Sequence, residues 1–233
     1  MKLKLVAFVI SLLMTINSYS QNQLIYVYDA LCGWCYGFSP VIQKLAEEQS
    51  DRFSVEVISG GMITGEREGP IGEVAAYIKH AYKDVEKRSG VTFGTKFLHE
   101  TLAEGKAYFS SIPPAKALSV VKEMKPELSL KYAAGLQRLI YFEGVHPQDL
   151  DSYSQLADSL GLDKARFEEL INSVLATEWA LADFKRSAAL QVNGFPSVFL
   201  RVDYQLYLVA KGYTDFESIS RRIDEVLGKA KKE

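Results

Sequence analysis

The sequence predicts an α/β domain in which a βαβ unit and a ββα unit are separated by a large helical block. Three observations predict it. Strand-like runs rich in β-branched and aromatic residues lie only near the two ends of the chain. The middle carries helix-period patterning almost throughout. A Cys-x-x-Cys pair, Cys32 and Cys35, falls where the first strand hands over to the first helix.

Residues 1–20 stand apart from the fold. Lys2 and Lys4 precede an apolar run from Leu5 to Met14 broken only by Ser11, and Ser18 and Ser20 supply small residues before Gln21. This is the pattern of a cleavable secretory signal peptide, with an apolar run too short to span a bilayer comfortably. No later segment reads as transmembrane, so stable membrane insertion is not expected. The expected location is periplasmic or secreted, after cleavage near Ser20.

Leu24–Tyr28 reads as a buried strand. A turn through Asp29 leads to Cys32, and a helix runs from Gly33 to about Glu48 with Cys35, Phe38, Ile42 and Leu45 on one face and Pro40 inside it. Phe53–Ile58 alternates as a second strand, ended by Gly60-Gly61. Helices are expected over about 71–88, 95–104, 114–124, 127–143, 148–160, 164–174 and 175–190. Pro126 and Pro147 mark first turns, Asp163 an N-cap, and Gly144 and Gly161 helix ends. Pro196–Val202 and Tyr204–Val209 read as a hairpin turning near Asp203. Thr214-Asp-Phe-Glu217 reads as a capping box opening a last amphipathic helix along Phe216, Ile219, Ile223 and Val226. The organisation expected is therefore residues 21–60 and 191–233 as one domain, with 61–190 inserted between its halves.

The chain has 233 residues and a formal net charge of −2, falling to −4 once Lys2 and Lys4 are removed with the leader. That balance gives no electrostatic footprint for nucleic acid. The only two cysteines are three residues apart. A bridge across two residues closes too short a loop to stabilise a fold, so the pair suits redox exchange rather than stapling. Zinc is the competing use of such spacing, but His80, His99 and His146 are scattered and unpaired, so no metal is expected.

The motifs now carry a resemblance. Cys32-Gly-Trp-Cys35 follows a strand and opens a helix, Pro40 stands five residues further on, and Gly194-Phe195-Pro196-Ser197 opens the third strand. Together these resemble the DsbA family of disulfide oxidoreductases: a thioredoxin fold with a large helical insertion. Asp29-Ala-Leu-Cys32-Gly-Trp-Cys35-Tyr36-Gly37 is similar to its FrnE-like and hydroxychromene-carboxylate-isomerase-like branch. That branch often has Pro where this chain has Gly33. The resemblance implies a cis Phe195–Pro196 bond facing the dithiol, with the Phe195 backbone available to an extended substrate. An ordinary strand-start proline is the alternative for Pro196.

Disulfide exchange needs a thiolate to attack and a second thiol to resolve the mixed disulfide. The helix N-terminus, with its unpaired N–H groups and positive dipole end, favours negative charge on Cys32. Cys32 is therefore expected to be exposed and to attack, and Cys35, one turn inside, to be buried and to resolve. Asp29 has two candidate roles, capping the turn or accepting the Cys35 proton. Trp34 is expected to cover the dithiol. Tyr36, Phe38 and Met62 are candidates for an apolar substrate surface, with Phe38 better suited to the core.

Four functions fit these residues. The first is an enzyme that forms or isomerises disulfides in exported proteins, with no cofactor and with a membrane or soluble redox partner. The second is a reductase fed by a membrane electron donor. The third is a non-catalytic peptide-binding or chaperone module, against which the intact cysteines argue. The fourth is a glutathione-dependent isomerase, which the second cysteine disfavours.

Overall fold

The computed structural model describes residues 22–230, so the leader expected over residues 1–20 lies outside the described residues. The chain opens with β1 (Gln23–Tyr28), α1 (Gly33–Glu48) and β2 (Ser54–Ser59), and β1 and β2 pair in parallel. It closes with β5 (Ser197–Val202), β6 (Gln205–Lys211) and α9 (Phe216–Ala230), after an insertion described below. The four long strands form one sheet in the order β2-β1-β5-β6, with β5 antiparallel to both its neighbours. The βαβ and ββα units expected from the two ends therefore meet through β1 and β5.

Between them run β3 (Gly69–Pro70), α2 (Ala75–Ser89), α3 (Leu102–Glu104), β4 (Tyr108–Phe109), α4 (Ile112–Met124), α5 (Ser129–Tyr141), α6 (Leu150–Ser159), α7 (Lys164–Ile171) and α8 (Val174–Ala189). The insertion is not wholly helical. β3 and β4 pair into a two-residue ribbon, too short to carry an alternating pattern in sequence. The helix expected over 95–104 is mostly a π-helical turn, Phe97–Thr101, running into α3.

Two cap assignments are corrected. Pro147 lies outside α6, whose N-cap is Asp149 accepting from the Ser152 amide at 3.1 Å. α9 is capped by Asp215 rather than Thr214: Asp215 accepts from the Ser218 amide at 2.8 Å and from its hydroxyl at 2.9 Å. Either residue can cap, and the carboxylate has two oxygens for the two donors of Ser218. Asp163 caps α7 as expected, accepting from the Arg166 amide at 2.9 Å. Gly144 and Gly161 take the left-handed backbone beyond their helices.

β1 is buried on both faces. Leu24, Tyr26 and Tyr28 face a large core shared with α1, α9 and the inserted helices. Ile25 and Val27 face the opposite side with Ile58 and Phe199, beneath Leu190, Val192 and Phe195. Burying each such side chain is worth about 1.5–3 kcal/mol. α1 packs against α2, α5 and α9, and α8 lies against β2 and α4. The insertion thus shares the core of the sheet, and α2 and α5 flank the helix that carries the cysteines.

Candidate functional site

The site begins at the end of β1. The Asp29 carboxylate accepts from the Leu31 amide at 3.0 Å, and its backbone carbonyl accepts from the Cys32 amide at 3.1 Å. This turn delivers Cys32 to the N-cap of α1 in extended backbone. There the Cys32 sulfur accepts from the Cys35 amide at 3.4 Å, as capping side chains do. The placement expected from sequence holds, and the Cys35 amide is shared between this sulfur and the Cys32 carbonyl, to which it donates at 3.0 Å.

Facing the pair is the Phe195–Pro196 bond, which is cis. The Cys32 thiol points at the Phe195 carbonyl, 3.7 Å away. Phe195 itself is held from behind. A Cβ built on Gly60 would lie 2.0 Å from its ring, so the ring rests on bare backbone. The neighbouring Gly61 has φ +70° and lies under the Phe184 ring. Of the glycine pair read from sequence only as a strand end, Gly60 is thus the surface on which the proline loop sits, while Gly61 makes room for α8.

Cys32 is 6% exposed, against the expectation that it would be exposed. Phe195 and the inserted segment cover it, and its thiol opens onto a groove of about 350 Å³. Trp34, Met62, Tyr77, Ile78, Phe93 and Phe195 are among the lining residues, and none of the lining residues is charged. Tyr77 and Ile78 come from α2, a contribution that the sequence reading did not identify. Trp34 stands in the groove wall between Tyr213, with ring centroids 6.1 Å apart, and the Arg88 guanidinium 5.7 Å from its ring. Gly33 leaves ordinary contact room toward Phe93. Met62 lines the groove, whereas Phe38 is core. Tyr36 packs against Phe93 and Tyr141 and donates to the Thr92 carbonyl at 2.9 Å, away from the groove.

Cys35 is fully buried. Burial, followed by the neighbouring Cys32 sulfur, pushes its thiol well above the ordinary range. Asp29 is also buried, and burial raises its carboxyl although several hydrogen bonds pull it down. Those bonds engage both oxygens. Oδ1 accepts from Leu31 and from the Ser111 hydroxyl at 2.9 Å, and Oδ2 accepts from the Met62 amide at 2.8 Å. Of its two candidate roles the geometry builds the turn cap, and it adds a tie to the Met62 loop and to Ser111. Ser111 in turn accepts from the Ile63 amide at 2.9 Å. Nothing local in the sequence marks Ser111, which lies 82 residues away. His80, His99 and His146 are exposed, and among the described residues no three His, Cys, Asp or Glu side chains cluster to hold a metal ion.

A dithiol at a helix N-terminus, faced by a cis proline at the head of an antiparallel strand, defines a thioredoxin-type redox site. The chain belongs to the DSBA-like thioredoxin domain family, whose model matches residues 23–224. The fold is similar to a candidate protein disulfide isomerase from Nitrosomonas europaea, with 28% identity and a TM-score of 0.80 over 90% of this chain and 98% of that one. It is also similar to the cytosolic disulfide reductase DsbM from Pseudomonas aeruginosa, with 27% identity and a TM-score of 0.75 over 88% and 98% of the two chains. Among curated proteins, the ClpXP adapter protein SpxH of Halalkalibacterium halodurans is 21% identical over 177 residues, 72% of this chain. The chain spans about half the length of that relative, 55% of it being matched.

Proposed function

We propose that this protein is an exported thiol–disulfide oxidoreductase that forms or isomerises disulfides in other proteins, with Cys32 as the attacking and Cys35 as the resolving thiol. The observation that carries the reading is the pair itself. Cys32 caps α1 and opens onto an uncharged groove beside the Phe195 carbonyl, while Cys35 lies buried behind it. Export is supported by the leader-like pattern of residues 1–20.

In the oxidising direction a substrate thiolate attacks the Cys32 sulfur of the Cys32–Cys35 disulfide. That bond breaks, Cys35 leaves with the electron pair and takes up a proton, and a mixed disulfide forms at Cys32. A second substrate thiolate attacks the substrate sulfur of that bond and expels Cys32 as the thiolate. The substrate loses two electrons and the dithiol gains them, so an oxidising redox partner must restore the disulfide. Isomerisation starts from the dithiol and needs no net electron transfer.

The test is the equilibrium potential of the Cys32–Cys35 couple against glutathione, paired with assays on a reduced and a scrambled substrate protein. A potential toward about −120 mV is that of an oxidant and one toward about −270 mV that of a reductant. The oxidising or isomerising role predicts the upper part of this range and gain of native disulfides. A potential at the lower end, with only disulfide cleavage, would instead establish the reductase reading. The similarity to DsbM, named as a cytosolic disulfide reductase, is the specific observation favouring that second reading.

A further inference from the structure

The segment Ser59–Ile63 leads out of β2 into the groove wall, and its backbone is gripped at nearly every residue. At one end the Ser59 amide donates to the Asp183 carboxylate of α8 at 3.1 Å, and the Lys122 ammonium of α4 donates to both oxygens of that buried carboxylate at 2.7 and 2.8 Å. The Gly60 amide donates to the Tyr28 carbonyl at 2.7 Å, and the Met62 amide to Asp29. At the other end Ser111, the N-cap residue of α4, grips Ile63 twice. Its amide donates to the Ile63 carbonyl at 2.8 Å, and its hydroxyl oxygen accepts from the Ile63 amide at 2.9 Å. One helix thus holds both ends of the segment, directly at Ile63 and through Asp183 at Ser59.

The Ser111 side chain does more than hold the wall. It is 2% exposed, and its single hydroxyl proton goes to Asp29 Oδ1, the same oxygen that accepts from Leu31 in the turn delivering Cys32. One hydroxyl is therefore bonded at once to the turn that carries the attacking sulfur and to the loop whose Met62 and Ile63 line the groove beside it. A wall fixed before binding spares the cost of ordering it when a substrate arrives. We propose that Ser111 is a positioning residue that presets the groove wall against Cys32, and so favours substrates that fill the groove over small disulfides that reach only the sulfur. The role rests on the oxidoreductase reading above.

The experiment uses the reduced protein and two reagents with the same leaving group. One is 5,5′-dithiobis(2-nitrobenzoate). The other is the mixed disulfide of its coloured thiol with a short apolar peptide whose cysteine lies between leucine and phenylalanine. In the second, the Cys32 thiolate attacks the peptide sulfur, the reagent disulfide breaks and the coloured thiolate leaves. Cys35 then loses its proton, attacks the Cys32 sulfur and frees the peptide thiol, so the protein gives up two electrons and the reagent gains them. Ser111→Ala should raise the half-saturating concentration of the peptide reagent roughly fivefold, the equilibrium factor of one ordinary hydrogen bond. The limiting rate and the rate with the small reagent should change far less. Ser111→Thr keeps the hydroxyl and should recover most of the loss. Ser154→Ala removes an equally buried hydroxyl on α6, bonded to Asp151 and Glu168, and should leave both reagents at wild-type values whatever it costs in stability. Equal slowing with both reagents in Ser111→Ala, an unchanged half-saturating concentration, or a threonine variant as impaired as the alanine one would overturn the role. A wild-type protein that releases no coloured thiolate from either reagent would overturn the oxidoreductase reading itself. One that reacts with both but shows no saturation by the peptide reagent would overturn the role of Ser111 alone.

Discussion

Gly60→Ala tests whether the proline loop is positioned from behind. The added Cβ would lie 2.0 Å from Cε1, 2.4 Å from Cζ and 3.0 Å from Cδ1 of Phe195. Ordinary carbon contacts begin at about 3.5 Å, so the ring must retreat by about 1.5 Å. It has little room, because it is packed against Ile25, Val27, Ile58 and Phe199. Overpacking of this kind costs about 1–3 kcal/mol. With a urea m-value of about 2–3 kcal/mol/M for a chain of this size, the unfolding midpoint should fall by roughly 0.3–1.5 M. The same movement displaces the carbonyl that faces Cys32, so exchange with an unfolded protein should slow more than exchange with a small disulfide reagent. Phe195→Leu removes the two ring atoms nearest the new Cβ. The double variant should therefore recover part of the loss, with a coupling of about 0.5–3 kcal/mol. Additive effects, or a Gly60→Ala protein within about 0.5 kcal/mol of wild type by the same denaturation, would refute the reasoning.

The remaining predictions concern the dithiol and the turn beneath it. Cys32→Ser should lower turnover to background, while Cys35→Ser should accumulate one mixed disulfide per chain, visible by mass spectrometry as an adduct that a small thiol removes. An adduct that persists only on Cys35 would reverse the order of attack. Asp29 has a carboxyl raised by burial, so between about pH 3.9 and its folded value the native state holds a proton that the unfolded chain has lost. This contribution to stability is present at low pH and is lost as pH rises through the folded value. The stability of wild type relative to Asp29→Asn should therefore decline from about pH 4 toward neutrality, measured by urea unfolding across pH. A difference that is flat or rises with pH would contradict the burial-dominated reading.

Much of the site was legible in the sequence because its chemistry is local. The N-cap position of Cys32, the burial of Cys35 and the turn at Asp29 all follow from a strand, a short turn and a helix within thirteen residues. The order of the elements at the two ends was legible for the same reason. Phe195-Pro196 was legible only through its family resemblance, since the residues themselves left an ordinary strand-start proline open.

Other features depend on distance. Cys32 was expected to be exposed because a helix N-terminus ordinarily meets solvent, and only the placement of Phe195 and the inserted segment covers it. Asp29 meets Ser111 and Met62 across 82 and 33 residues, pairings that no local pattern encodes. Gly60 read as a strand end, but its lack of a side chain matters only when β5 brings Phe195 against it. The sequence by itself determined the secondary elements and the dithiol at the helix start, because these depend on neighbours along the chain. Only the tertiary structure decided what surrounds the two sulfurs, because packing a helical insertion onto the sheet brings together groups that the chain keeps far apart.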